Sequence, residues 1–419
     1  MERFRYLIIG GGMAGGRAVE GIRQVDAEGS IALAAGEPHR PYERPPLSKE
    51  YLRGEAGLDK VYLKDADFYR QQRVRLLEGL RAEQLDPGRR QVTLSSGETL
   101  EYEKLLLAMG GRARRLSIPG SDLRNVFTLR TIGDSDGIRA ASKPGRSALV
   151  MGGSFIGAEV AASLSQMEAK VTLVFPDDRL FTRVMPEEIS SFFQEQFKAH
   201  GVRLLPGVTA KSLEGDGAVQ RAQLDDGETL ETGLVVMGVG IDLNTELASK
   251  AGLETQEKDH AVIVDEMLRS SDPNIYAAGD IAAWPDPTFQ KRLRVEHWDV
   301  ARRQGLQAGR NMAGAGEAYA ALPNFFSDIF DLTFDVWGDL SGWDQTVLRG
   351  VPESRKFALF YFNDGRLTAA LAMGLPKDEQ KLIQNLIKSR AAYAEIGDGL
   401  EDTQQPLPDL AGAGSKASR

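Results

Sequence analysis

The chain has 419 residues, with 51 Lys and Arg against 60 Asp and Glu for a net charge of −9, and it is 42% hydrophobic and 26% charged. That length allows two to four domains with substantial apolar cores, and that balance is that of a folded protein, so a single small module and a wholly disordered chain are excluded. The negative charge does not draw nucleic acid, and the absence of cysteine removes disulfides, thiolate metal sites, cysteine-ligated iron–sulfur clusters and thiol nucleophiles.

In chain order, Phe4–Ile9 reads as a strand, the turn from Gly10 to Gly16 follows, a helix runs to about Gln24, and Ser30–Ala34 reads as a second strand. This is a βαβ unit. Gln91–Leu94 with Ser96-Gly97 reads as part of a small antiparallel addition. A second βαβ unit starts near Arg146, with strand Ser147–Met151, a glycine turn from Gly152 to Gly157, a helix through Met167 and strand Lys170–Phe175. Ala222–Leu224 with Asp226-Gly227 reads as another antiparallel addition. From about Leu322 aromatic strands take over, and Asn363-Asp364-Gly365 marks a hairpin between Phe357–Phe362 and Arg366–Met373. Pro376 is predicted to open a helix with Leu382, Ile383, Leu386 and Ile387 on one face, and from Gly397 the composition predicts a disordered tail. No apolar run reaches about 18 residues, so no membrane span is expected. No signal peptide is visible, which points to the cytoplasm.

Gly10-x-Gly12-x-x-Gly15 lies between a strand and a helix, where a tight backbone turn can bring a pyrophosphate to the helix N-terminus. Glu37 stands about 20 residues further on, where an acid accepts the adenosine ribose hydroxyls. The second turn, Gly152-x-Ser154-x-x-Gly157, has Ser in the middle position, and its alternative reading is a tight turn without a ligand. Two dinucleotide sites in a cysteine-free chain suggest a relay from a nicotinamide to a flavin. Asp280, beside Gly279, suits a polyol, because a carboxylate accepts hydroxyl hydrogen bonds. The four histidines, His39, His200, His260 and His297, lack metal-pair spacing, so no metal is expected.

The run Arg40-Pro-Tyr-Glu-Arg-Pro-Pro-Leu-Ser-Lys49, the segment Asn274-Ile-Tyr-Ala-Ala-Gly-Asp280, and Val295-Glu-His-Trp298 with Ala301 and Gln304 resemble the FAD-dependent ferredoxin and rubredoxin reductases. Putidaredoxin reductase and apoptosis-inducing factor belong to that group. The aromatic stretch Asn324–Leu340 is also similar to monodehydroascorbate reductase, and the resemblance extends to about residue 395. It implies an α/β fold of glutathione-reductase-like architecture, with two Rossmann-like dinucleotide-binding domains and a C-terminal α+β domain. The FAD domain would comprise 1–117 and 242–320, the NAD(P)H domain 118–241, the reductase domain 321–396 and the tail 397–419.

By that likeness FAD meets Gly10, Gly12, Met13, Ala14 and Gly15 at its pyrophosphate, with Glu37, Arg44, Ala82, Ala108, Gly110 and Arg130 as further contacts. Gly279 and Asp280 hold the ribityl chain, and Glu296, His297 and Trp298 lie against the flavin. Gly152, Gly153, Ser154, Phe155, Ile156, Gly157, Glu159 and Gly240 serve the nicotinamide nucleotide. Lys49 sits beside flavin N5 and pairs with Glu159, which keeps a buried cation from standing alone. The plain alternative is a surface lysine and a helix-terminal glutamate. Lys49, Glu159 and Trp298 are the catalytic candidates; Trp298 covers the flavin or lies on an electron path, or is simply a packed aromatic.

The sequence departs from the family pattern at Gly36, where many members carry an acid, at Met109, where many carry Thr, and at Phe175, where the acid for the nicotinamide ribose is expected. That role passes to Asp177, by likeness to the VFPEP of monodehydroascorbate reductases. An acid there favours NADH, while Arg179 and Arg183 leave NADPH open. The implied activity is electron transfer from NADH through FAD to a ferredoxin or rubredoxin. Lys291–Arg303 holds five basic residues against Glu296 and Asp299, a patch that steers an acidic partner or is a solvated helix face. The alternatives are a small acceptor such as the ascorbate radical, a quinone or oxygen, and redox-controlled partner binding. For the ascorbate radical an arginine matches Arg302, but the matching tyrosine is lost in Asn324-Phe325-Phe326. The protein is expected to be a monomer or homodimer.

Overall fold

Strand Glu2–Ile9 ends in four buried residues, Tyr6 to Ile9, and strand Ile31–Ala35 is buried throughout, as strands covered on both faces require. In the computed structural model, which describes residues 1–404, 406 and 407, these strands pair in parallel, Tyr6 facing Ile31. Val74–Glu78 and Thr99–Leu107 extend the sheet on either side, and Ile275–Ala277 joins it in parallel against Thr99–Leu107. Gln91–Leu94 and Ala82–Asp86 add two antiparallel strands, the addition expected from Ser96-Gly97. Helix Met13–Val25 packs along helix Trp298–Met312 with their backbones in contact. A Cβ on Gly305 would stand 2.2 Å from the Ala14 carbonyl oxygen, and one on Gly309 2.2 Å from that of Ala18.

The chain divides into two units, and these elements belong to the first, made of Met1–Arg44, Leu58–Arg112 and Asp242–Phe325. Pro45–Gly57, Ala113–Ile241 and the chain from Phe326 form the second. Residues 45–57, expected with the first domain, group with the second unit through hydrogen bonds. Ser163 Oγ donates to the Ser48 carbonyl (2.6 Å), Ser135 Oγ to that of Leu47 (2.9 Å) and Tyr51 Oη to Asp136 (2.8 Å).

The second unit repeats the βαβ plan. Its parallel sheet runs Arg203–Pro206, Lys170–Phe175, Ser147–Met151, Leu234–Met237, Val126–Thr128, and helix Phe155–Gln166 follows the glycine turn. Ala210–Glu214, Arg221–Leu224 and Thr229–Glu231 form the expected antiparallel addition. A five-stranded sheet ordered Asn324–Ile329, Leu332–Gly338, Arg366–Met373, Lys356–Asn363, Gln345–Val351 carries the aromatic strands. Helix Lys377–Lys388 buries Ile383, Leu386 and Ile387, and Pro376 is its N-cap rather than its first residue.

The expected tail boundary at Gly397 needs correction. Helix Tyr393–Glu401 runs through it, because Ile396 and Leu400, one helical turn apart, are both fully buried. Composition counted the glycines and missed that pair. Residues 405 and 408–419 of the expected tail lie outside the described residues. Among the described residues, no helix is long and apolar enough to cross a membrane.

Candidate active site

In the first unit, Gly10 adopts φ +126°, and a Cβ there would meet the Ala108 carbonyl oxygen at 2.2 Å. A Cβ on Gly15 would stand 1.9 Å from the Gly10 carbonyl oxygen. These two glycines are required by the chain itself. Gly12 differs: it caps helix Met13–Val25 without a side-chain hydrogen bond, and a Cβ on it would meet nothing within 4 Å. No protein atom therefore stands beside Gly12 at the start of this helix, whose first-turn N–H groups have no intrahelical acceptor and suit a phosphate.

Glu37 accepts from Tyr42 Oη at 2.6 Å and from Arg44 Nη2 at 3.2 Å, so the expected acid and arginine do meet, joined by a tyrosine the motif reading passed over. Gly36 lies beneath a side chain. A Cβ there would stand 3.0 Å from Cγ of the exposed Arg81, just before Ala82 enters its strand, so the Arg81 side chain lies over the glycine. At Met109, where Thr was expected, the backbone carries the contact: Asn244 Nδ2 donates to the Met109 carbonyl (3.0 Å) and Asn244 N–H to that of Gly110 (2.9 Å).

Gly279, at φ +80°, donates its N–H to Gln304 Oε1 at 2.9 Å, immediately before Asp280. His297 caps helix Trp298–Met312 and stacks on Phe325, ring centroids 4.1 Å apart. Burial pushes its pKa down to about 4, against the opposing pull of Asp280. A histidine depressed in the fold takes up its proton first in the unfolded chain. Its contribution to stability is therefore complete above about pH 6.5 and lost as pH falls toward about 4. Denaturant unfolding at pH 7 and pH 5 should show this loss in the native protein and a smaller one in His297→Asn.

Glu296 is exposed and pairs with Arg294 at 2.6 Å. Trp298 opens its helix with the Arg302 guanidinium 5.5 Å from its ring centre. Arg302 and Arg303 both donate to the buried Asp299, at 2.6 and 2.5 Å, while Arg292 donates to the carbonyls of Val264 and Ala283. Much of the charge in the expected basic patch is thus spent within the fold.

Does this unit fit FAD? The open face at Gly12 suits a pyrophosphate. Gln304, fully buried, holds the Gly279 turn in place through its Oε1, so that Asp280 follows at a fixed position. The residues fit.

The second unit repeats the glycine geometry: a Cβ on Gly152 (φ +124°) would stand 2.2 Å from the Gly238 carbonyl oxygen, and one on Gly157 2.0 Å from that of Gly152. Ser154 stands where Gly12 does, exposed and without a side-chain cap bond. Gly153 packs over the Phe175 ring, where a Cβ would come within 2.8 Å, so Phe175 is a floor for the turn and not a ribose contact. Asp177 follows, and its backbone carbonyl accepts from Gly207 N–H at 2.9 Å. Asp178 binds Arg179 at 2.7 Å, and Arg183 is exposed. Phe155 stacks on Phe181 at 5.2 Å, Ile156 is exposed, and Gly240 (φ +98°) has open space at its Cβ. Arg130 belongs to this unit, its N–H donating to Asp134 at 3.0 Å.

Lys49 and Glu159 meet in the same unit, both over nine-tenths buried, with Nζ 3.1 Å from Oε1. Glu159 also accepts from Ser48 Oγ at 2.6 Å and Ser327 Oγ at 2.7 Å, which stabilises its charge. Lys49 has a second carboxylate, Asp328, at 3.8 Å, and lies 5.3 Å from the Phe326 ring centre. This is a complete, hydrogen-bonded ion pair and not a surface lysine. Sequence reasoning missed Ser48, Ser327 and Asp328. Ser48 lay within the quoted run ending at Lys49, but Ser327 and Asp328 arrive from far along the chain, without a motif.

A nucleotide-binding oxidoreductase is the class this fold and these turns define. Residues 4–305 match the family model of pyridine nucleotide-disulphide oxidoreductases, and residues 324–411 that of the reductase C-terminal domain. The chain is 36% identical over 420 residues to the 5,5'-dehydrodivanillate O-demethylase ferredoxin reductase subunit of Sphingobium sp. (strain NBRC 103272 / SYK-6), covering 99% of this chain and 100% of the relative. It is 32% identical over 423 residues to monodehydroascorbate reductase 3 of Arabidopsis thaliana, covering 94% and 95%. Among solved structures, putidaredoxin reductase in its covalent complex with putidaredoxin superposes with a TM-score of 0.92 at 30% identity, covering 99% of each chain. The chain belongs to the ferredoxin reductase family of FAD-dependent pyridine nucleotide oxidoreductases.

Proposed function

We propose that this enzyme oxidises NADH and passes the electrons, through FAD held by the first glycine turn, to an iron–sulfur protein of the ferredoxin type. Bound FAD supplies the conversion from a hydride to single electrons. The observation that carries the reading is the absence of cysteine from a chain whose family is named for disulphide chemistry. Without a thiol pair the electrons must leave to another molecule, and relatives that supply ferredoxins share its full length. Arg302, the residue matching the ascorbate-radical arginine, is held by Asp299 and lies over Trp298, which counts against a small anionic acceptor.

In this reading Lys49 and Glu159 attend the flavin, and Asp177 accepts the nicotinamide-side ribose hydroxyls. Arg179, the nearest candidate for a 2′-phosphate, is tied to Asp178, so NADH is the substrate. Asp178→Ala frees Arg179 and should raise kcat/KM for NADPH about two- to fivefold relative to NADH, since an exposed ion pair contributes roughly 0.2–1 kcal/mol. An unchanged ratio in steady-state assays would sink this assignment. The same reading places the enzyme in the cytoplasm, where NADH is supplied.

The test of the whole is an anaerobic one. Mixing with NADH should bleach the flavin rapidly, recovery in air should be slow, and a two-iron ferredoxin should restore the colour at once. Rapid reoxidation by air or a quinone with none by ferredoxins would favour a small acceptor, and no bleaching with either nicotinamide would refute the enzyme reading.

A further inference from the structure

Oxidation of NADH by two one-electron acceptors yields NAD+, two reduced acceptors and one proton, so the electron route proposed above needs an outlet for that proton. Lys49 has a way outward within the second unit. One of its N–H groups is committed to Glu159, which is itself engaged by Ser48 and Ser327 and is buried, so that side leads to no solvent. Asp328 differs. Its Oδ1 accepts from Thr333 Oγ1 at 2.6 Å, while its Oδ2 faces Lys49 Nζ at 3.8 Å and takes no hydrogen bond among the described residues. The Asp328 side chain is 35% exposed against 8% for Lys49, so the carboxylate reaches from the buried ammonium toward water. A gap of that length is closed by one water or a small rotation.

Strand Leu332–Gly338 brings a second carboxyl. Thr333 and Asp335 stand two residues apart on it, so they share the face on which Thr333 reaches Asp328. Asp335 is half-buried, its side chain makes no hydrogen bond or ion pair among the described residues, and burial followed by the Asp328 charge pushes its carboxyl above the ordinary aspartate range. The Lys49 ammonium is thus faced by Glu159 from helix Phe155–Gln166 and by Asp328 from strand Asn324–Ile329, with Asp335 behind Asp328. Three carboxylates against one cation leave a surplus of negative charge that favours a shared proton. We propose that Asp328, with Asp335 behind it, is a proton-transfer residue that takes a proton from Lys49 Nζ and passes it to water. As Lys49 gives a proton to Asp328 Oδ2 it takes up the one that leaves the cofactor when the electrons depart. Lys49 therefore ends as charged as it began, and the carboxyl then releases its proton to solvent. The proposal rests on the reading that sets Lys49 against the flavin.

Ferricyanide serves as the acceptor in the test, because it takes single electrons, carries no proton and needs no docking surface. The full-length holoenzyme, reduced by an equivalent of NADH without oxygen, is mixed with ferricyanide in weak buffer at pH 8 with a pH-indicator dye. In the native protein the flavin colour should return together with the released proton. Asp328→Asn keeps an oxygen for Thr333 but has no carboxylate to take the proton, so both signals should be at least about tenfold slower. Acetate, a free carboxylate, should restore most of that loss, which it would not do for a structural defect. Independently of turnover, 13C-aspartate spectra of the native apoprotein should show a carboxyl titrating above the ordinary range that disappears in Asp335→Asn and moves down in Asp328→Asn. Where Asp328→Asn does not fold, Asp335→Asn takes its place, with proton release slowed severalfold and restored by acetate. Native rates in the variant, a loss that acetate does not restore, or an Asp335 carboxyl that ignores Asp328→Asn would overturn the proposal. Lys49→Met run alongside separates the two levels. Slowed flavin reduction there with native proton release in Asp328→Asn overturns Asp328 alone, and reduction at the native rate in Lys49→Met overturns the reading of Lys49 too.

Discussion

Lys49→Met should slow flavin reduction by NADH about ten- to a hundredfold, the effect of losing a charged interaction of roughly 1.5–3 kcal/mol. The reason lies in how the cation is held. Glu159 is fixed by Ser48 and Ser327, so Lys49 Nζ is anchored at 3.1 Å by a carboxylate that cannot turn away. A buried cation so placed favours a negative charge developing nearby, and methionine keeps the length of the side chain while removing that charge. Removing one partner from a buried pair commonly costs about 3–5 kcal/mol of stability, and here the two serine donors left on Glu159 should reduce that cost. Glu159→Gln should be milder in stability, because Asp328 at 3.8 Å remains for Lys49. Stopped-flow bleaching at saturating NADH, beside denaturant unfolding of both variants, tests this. A native reduction rate in Lys49→Met with lowered stability would make the pair structural only.

What the sequence made legible follows from how local each constraint is. Gly15 follows Gly10 by five positions and would collide with its carbonyl oxygen if it gained a side chain, so the spacing survives as a motif. Gly157 stands in the same way against the Gly152 carbonyl oxygen. Lys49 and Glu159 are distant in sequence, and only the family resemblance joined them; the fold then shows why they meet, through Ser163 and Ser135 holding residues 47–48 in the second unit. Ser327 and Asp328 were illegible because an aromatic strand's alternation reports burial and not the chemistry of its polar members. Gly36 is a case of the opposite kind. It reads in the sequence as a missing acid, and in the fold the Arg81 side chain lies over it.

The sharpest separation between the two nucleotide sites should come from one methyl group in each. Gly12→Ala meets no protein atom within 4 Å, and Gly12 has φ −90° and ψ −168°, an extended conformation open to alanine. Its cost to the apoprotein should stay within about 1 kcal/mol, the scale of an N-cap change. Yet the methyl stands where a phosphate must approach the helix N–H groups, so FAD affinity should fall about a hundredfold, or roughly 2.7 kcal/mol, and the protein should purify largely colourless but folded. Gly157→Ala is the converse. Its Cβ would lie 2.0 Å from the Gly152 carbonyl oxygen, which forces the second turn out of shape while the first unit is untouched. That variant should purify yellow and bleach normally with dithionite, yet bleach with NADH at least about tenfold more slowly than the native enzyme. Colour, circular dichroism and the two bleaching rates read all of this from two proteins. A colourless Gly157→Ala, or a fully yellow Gly12→Ala that NADH no longer bleaches, would mean that the nucleotides occupy the opposite turns.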